Sequence, residues 1–202
     1  MSFKNLPLLL ALLVVFGLLA LTKKPHSTLV ALPTTDNTAM TPTEAFHKMM
    51  DVLTHQRCVN CHPSDDVPKQ GDDRHAHYFG VKRGIANMGY EATNCTTCHA
   101  SENNSYSGVP GAPEWSLAPH SMRWEGLDRY EIAASMMDPE RNGGRTPEET
   151  LHHLTEHELV LWAWNPGVNA EGVVREMPPV PLEEYREAVT LWFKSGHKIP
   201  TK

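Results

Sequence analysis

The sequence predicts an all-α domain of short, irregular helices whose own side chains supply only part of the core. Three observations lead there. Apolar residues recur at helical spacing in four stretches, each with a recognisable start or stop, and no stretch alternates as a half-buried strand does. Proline is abundant at 16 residues and aromatic residues make up only 7% of the chain, which argues against long uninterrupted elements and a large aromatic core. All four cysteines fall in two short motifs, Cys58-Val59-Asn60-Cys61-His62 and Cys95-Thr96-Thr97-Cys98-His99, around which irregular chain is gathered.

Each motif is a Cys-x-x-Cys-His, the pattern of covalent haem attachment. Two thiols three positions apart add to the two vinyl groups of one haem, and the histidine directly after them ligates its iron. Two covalently attached haem c groups are therefore expected, one on Cys58, Cys61 and His62 and one on Cys95, Cys98 and His99. Such bodies are large and apolar, and two of them supply much of the missing core. A zinc site built from the four thiols tolerates the same two-residue spacing, but zinc does not require a histidine after each second cysteine. A disulfide within either motif closes too little chain to add much stability.

Residues 1–24 carry Lys4, an uncharged run from Leu6 to Thr22, and then Lys23 and Lys24, the outline of a signal peptide or signal anchor. No small-x-small cleavage site follows the run, which favours an uncleaved membrane anchor over a cleaved signal peptide. Either route puts the motifs on the periplasmic side of the bacterial inner membrane, where c-type haem is attached; Lys23 and Lys24 cut mildly against that orientation. Residues 25–41, rich in Thr, Pro, Ser and Asn, read as a flexible linker, and residues 42–202 as a dihaem cytochrome c domain.

Within the domain, Thr41-Pro42-Thr43-Glu44 opens a helix over about 42–56, and the apolar face of Phe46, Met49, Met50 and Leu53 is expected to pack on the first haem. Turn residues make loops of the chain from Pro63 to Arg74 and of residues 101–119. A helix over 127–138 stops at Pro139, and Arg141-Asn142-Gly143-Gly144-Arg145 is a turn. Thr146-Pro147-Glu148-Glu149 opens a further helix that carries Leu151, Leu154, Leu159, Val160 and Trp162 and ends at Asn165-Pro166-Gly167. The last helix runs from Leu182 to Lys194, with Tyr185, Val189, Trp192 and Phe193 inward and Gly196 closing it.

The formal charge is -6, and removal of Lys4, Lys23 and Lys24 with the N-terminal segment makes the remainder more acidic still. That balance excludes nucleic acid as a natural partner. It suits a redox protein with a basic docking patch, because complementary charge speeds encounter.

What fills the sixth position of each iron decides what the iron does. Methionine raises the reduction potential, and an open position permits chemistry on a small molecule. His77, in the chain between the motifs, is one candidate, with His75 beside it. Met122, in a proline-introduced loop outside any apolar periodicity, is a second, with His120 two residues away. The cluster His152, His153 and His157 is a third; His153 is preferred, and His153 and His157 share a helix face at i and i+4. Met177, before two prolines, is held in reserve, while Met49, Met50, Met136 and Met137 fit apolar helical patterns. Arg141 and Arg145, in their glycine turn, are candidates to bind haem propionates through paired N–H donors.

The chain resembles periplasmic dihaem c-type cytochromes of about this size, a family sometimes labelled as an isoquinoline 1-oxidoreductase subunit. The likeness runs from about residue 50 to 196. It rests on Arg57-Cys58-Val59-Asn60-Cys61-His62-Pro63, on His77, Val81, Arg83 and Gly84, and on the second motif. Further on it rests on Ala118-Pro119, Ser121-Met122, Trp124-Glu125-Gly126, Asp138-Pro139, Arg141-Asn142-Gly143-Gly144 and the stretch from Leu159 to Gly167. His77, Met122 and His153 fall at positions the family pattern carries over; Ile199-Pro200 stands where that family usually has Cys-Pro. The resemblance implies transfer of single electrons between a dehydrogenase or respiratory donor and an acceptor, without chemistry on a substrate. The rival expectation is a small peroxidase-type haem enzyme with one open iron position.

Overall fold

Thr41 starts the first helix in the computed structural model, which describes residues 39–202. The expected signal segment or anchor over 1–24, and the linker over 25–41 up to residue 38, lie outside the described residues. Among the described residues no helix is long and apolar enough to cross a membrane.

The Thr41 hydroxyl accepts from the Glu44 N–H at 3.2 Å, and the Glu44 carboxylate accepts from the Thr41 N–H at 2.7 Å. Such a reciprocal cap is worth about 1 kcal/mol. With Pro42 at the first position it opens α1, Pro42–Leu53. The chain turns at Thr54 and resumes as α2, Gln56–Val59, so the single helix expected to residue 56 is two pieces, the second presenting Cys58. Asp128 caps α4, Arg129–Met137, and Pro139 forces Asp138 into an extended conformation that ends it. Thr146, Glu149 and Pro147 repeat the first helix's start at α5, Pro147–Glu156. The long helix expected from there breaks at His157, whose backbone is extended; α6, Glu158–Leu161, and a 3-10 turn at Trp162–Trp164 follow. The last helix, α7, Leu182–Lys194, has the expected bounds, and Gly196 at φ 94 supplies the left-handed residue just after it.

The core is α1 against α7, flanked by α4 and α5. Phe46, Met49 and Met50 from α1 and Tyr185, Ala188, Val189 and Trp192 from α7 are all fully buried, each set at helical spacing. The α1 face was expected to pack on the first haem. Instead it packs mainly on α7, and only Leu53, at its end, reaches the cavity described below. The all-α expectation holds in its coarse form: the described residues are mostly helical. A small antiparallel hairpin of Lys69–Gln70 with His75–Ala76 lies between the two cysteine motifs, where no strand was expected. Two-residue strands are too short to show a period of two.

Buried Arg83 anchors this non-helical chain. It donates to Asp66 Oδ1 at 3.0 Å, to the Asp65 carbonyl at 3.2 Å and to the Ala118 carbonyl, tying the segment after the first motif to the loop that leads into α4.

Candidate functional site

The first motif, Cys58 to His62, sits on α2 and the turn after it, and the loop from Ala118 to Glu125 is laced to its backbone. The Ala118 N–H donates to the Cys61 carbonyl at 3.0 Å, and the Trp124 and Glu125 N–H groups donate to the His62 carbonyl at 3.0 and 3.1 Å. The same loop fixes the His62 ring. Its Nδ1 lies 2.7 Å from the Met122 carbonyl, which makes Nδ1 the N–H donor and leaves Nε2 a lone pair. The Trp124 indole stacks on the imidazole, centroids 3.6 Å apart and planes 11° from parallel.

His62, Cys58 and Cys61 line a cavity of about 230 Å³ whose other walls include His153 from α5, His157 from the break after it, and Arg145. Burial pulls the His62 imidazole down to about 4 and pushes Cys58 up to about 12; burial and then the neighbouring Cys95 charge push Cys61 up to about 11. His153 is pulled down to about 3, first by burial, then by the charges of Arg145, His157 and His62. At neutral pH the cavity therefore presents two neutral imidazoles and two neutral thiols, and His62 and His153 are close enough to feel one another. Two buried polar atoms of its wall residues, Trp124 Nε1 and His157 Nδ1, have no protein partner. Orphans of this kind mark a site shaped for a further group.

The second motif repeats this plan on looser chain. Asn94 caps α3, Cys95–Cys98, by accepting from the Thr96 N–H at 3.0 Å. His99 Nδ1 lies 2.7 Å from the Pro110 carbonyl, and the Trp115 indole stacks on His99 with centroids 4.5 Å apart and planes 9° from parallel. The opposing group is His77, whose ring centroid is 6.0 Å from that of His99; its own Nδ1 lies 2.9 Å from the Tyr78 carbonyl. Both imidazoles thus keep Nε2 free. Cys98 is exposed and Cys95 half-buried, and the four cysteines form no disulfide. Gly111, after Pro110, has no room for a Cβ, which would meet the Glu102 and Ala100 carbonyls, so the loop that holds His99 requires a glycine there.

The remaining candidates divide clearly. Met122 was expected to ligate through sulfur, yet its carbonyl holds His62 and its buried sulfur accepts from the Ser135 hydroxyl at 3.7 Å. Met122 also lines the first cavity, together with His62 and His153. Arg145 lines the first cavity; Arg141 instead donates to the Ser121 carbonyl at 3.3 Å and accepts from the Ser121 hydroxyl at 2.5 Å, bracing the Met122 loop. His75 is held by Asp73 at 2.6 Å, His120 is exposed beside Asp66, and Met177 is half exposed. Sequence reasoning missed Trp115, Trp124 and the carbonyls of Pro110 and Met122. The available signal was two tryptophans in the stretch that follows the second motif.

Among the described residues no three His, Cys, Asp or Glu side chains converge in the way a metal ion held by protein side chains alone requires. Compared with known proteins, the chain matches no family model, no curated protein and no solved structure, so any reading of its chemistry rests on these residues themselves.

Proposed function

We propose that the protein is a dihaem c-type cytochrome that carries single electrons, with a histidine on each side of each iron. Cys58 and Cys61 hold the first haem and Cys95 and Cys98 the second, each by addition of thiol S–H across a vinyl group. His62 and His153 flank the first iron, and His99 and His77 the second. The porphyrin supplies four of iron's six positions, so two protein ligands per site suffice. When bound, each haem takes up or gives up one electron at its iron. The chain's residues orient the imidazoles, exclude water from the first site, and set the potentials through burial and nearby charge.

The observation that carries this reading is the His77–His99 pair. Two imidazoles that held one metal ion between them, with bonds of about 2 Å and about 1 Å from nitrogen to ring centre, would stand roughly 6 Å apart, centroid to centroid; the observed separation is 6.0 Å. Both rings spend Nδ1 on a backbone carbonyl, as metal-ligating histidines do. The charge of Cys95 is felt at Cys61, which supports two motifs near enough to favour exchange of electrons between them. Arg145, beside the first cavity, is assigned to a propionate of the first haem. Arg141 serves the loop that holds His62.

The reading also places the domain outside the cytoplasm, where covalent haem attachment takes place, with an acidic surface suited to a basic redox partner. Production of the chain with and without a haem-attachment system, followed by the haem content per chain, tests it. Two haems per chain are expected, falling to one in Cys58→Ser/Cys61→Ser and in Cys95→Ser/Cys98→Ser. A haem-free chain that binds zinc through the four thiols contradicts the proposal.

A further inference from the structure

Resting on the reading above, one ligand stands apart from the others. His62, His77 and His99 each have Nδ1 beside a backbone carbonyl, at 2.7, 2.9 and 2.7 Å. His153 has no such carbonyl. What lies against it is His157, ring centroids 4.7 Å apart and planes at 58°, and both residues line the first cavity. His157 Nε2 is 3.1 Å from Glu114 Oε2. A carboxylate accepts only, so Nε2 carries the proton and Nδ1 is left as a lone pair. That Nδ1 is buried and has no partner. The Glu114 backbone is left-handed at φ 59, a conformation a non-glycine residue adopts at a cost, and it belongs to the same loop as Trp115.

We infer that Glu114 and His157 are the positioning residues of His153: Glu114 fixes the tautomer and rotamer of His157, and His157 Nδ1, unpartnered as it stands, becomes the acceptor for the N–H of the His153 nitrogen that does not face iron once His153 ligates it. The first iron's distal ligand is therefore aimed by a side-chain relay, whereas its other ligand and both ligands of the second iron are aimed by backbone. A relay ending in a carboxylate makes His153 a stronger donor, as the partners of metal-bound histidines generally do. It also makes this ligand's set adjustable by single side-chain changes that leave the other three untouched.

The test uses the full dihaem protein and reads the potential of each haem, the low-spin electron paramagnetic resonance signal of the first, and its carbon monoxide binding rate when reduced. His157→Phe keeps an aromatic ring but removes the acceptor. The first haem is expected to remain low-spin, with a broadened signal, a potential shifted upward, and carbon monoxide binding roughly tenfold faster, the lower end of what such partners contribute. His157→Gln, whose carbonyl accepts an N–H, restores part of each change. Glu114→Gln shifts the potential in the same direction but less, since the Glu114 side chain is 77% exposed and its charge is screened. The second haem is unmoved throughout.

First-haem values in His157→Phe and Glu114→Gln equal to wild type overturn the inference and leave the dihaem reading standing. A first haem that turns high-spin in His157→Phe but stays low-spin in His153→Ala also overturns it, because His157 is then the ligand. A wild-type first motif without haem removes the reading beneath the inference and the inference with it.

Discussion

The two cysteine motifs are built to one plan on unlike ground. In both, the histidine after the second cysteine gives Nδ1 to a backbone carbonyl and is covered by a near-parallel indole, at 11° in the first site and 9° in the second. The surroundings differ. The first site opens onto a cavity that adjoins the helical core, with Leu53, Met136 and Leu154 in its wall and Trp124 only 3% exposed. The second is made of short turns between the motifs, with Cys98 on the surface and Tyr78 and Phe79, next to His77, 61% and 88% exposed. The shared part of the plan orients a ligand. The unshared part, burial, sets how strongly charge on the bound group is felt, because an ion in a poorly solvated site costs more than one near water.

On this account the first haem is part of the fold and the second is an outwork of it, and the sharpest contrast lies in attachment. Cys58→Ser/Cys61→Ser leaves a void beside the core; deletions of this kind cost upward of about 3–5 kcal/mol, and a large fall in midpoint temperature is expected by circular dichroism. Cys95→Ser/Cys98→Ser is expected to leave the helical melt nearly unchanged. Equal losses break the comparison.

The covering indoles come next. Trp124→Leu removes a buried ring and is expected to destabilise by roughly 3 kcal/mol, while Trp115→Leu, at a half-buried ring, is expected to cost about 1 kcal/mol or less in denaturant melts. Each change is also expected to broaden the low-spin signal of its own haem alone.

The sixth ligands sharpen the contrast at smaller energetic scale. His153→Ala and His77→Ala each convert one iron to high spin. Carbon monoxide is expected to reach the second iron faster in His77→Ala than the first in His153→Ala, since the second site is the more exposed of the two. Stopped-flow rates in the reverse order contradict the assignment of burial.

The smallest effect is one of pH. Burial raises the Glu125 carboxyl, but hydrogen bonds from the Ser64 N–H and hydroxyl, followed by Lys69 and Arg74, outweigh it and leave it below the ordinary value. A carboxyl lowered in the folded state contributes stability that is complete above its unfolded value of about 4.3 and is lost as pH falls through the folded one. Because Glu125 ties the Ala118–Glu125 loop to Ser64, acid is expected to loosen the first site by less than about 1 kcal/mol. Glu125→Gln abolishes that dependence, which melts between pH 3 and pH 6 measure.

Much of this was legible in the sequence. Capping residues and proline placed the starts of α1 and α5, apolar spacing placed α7 to the residue, and the cysteine motifs marked both sites. Of the shortlisted residues, His77 lies beside His99, and His153 and Met122 line the first cavity. What stayed hidden has physical causes. A backbone carbonyl belongs to every residue alike, so nothing in Met122 or Pro110 as residue types announces that their oxygens hold His62 and His99. Met122 draws notice as a residue type for its sulfur, and its carbonyl oxygen holds His62 as well. The break at His157 was hidden because the apolar spacing of Leu151, Leu154, Leu159 and Val160 continues across it, and an extended residue between two helical runs leaves such a pattern nearly intact. The hairpin at Lys69 to Ala76 is stabilised by its turn and by Asn60, whose carbonyl accepts from the Lys69 N–H and whose amide donates to the Gly71 carbonyl, neither of which shows as alternation.

The central claim is that two irons, each between two histidines, sit in unlike environments. Electron paramagnetic resonance of the oxidised full-length protein during a potentiometric titration tests it most directly. The account expects two low-spin signals of bis-histidine type and two resolved midpoints. The higher midpoint belongs to the first site, where burial and Arg145 disfavour the more positive oxidised iron. A high-spin signal at either iron, or a single midpoint for both, contradicts it.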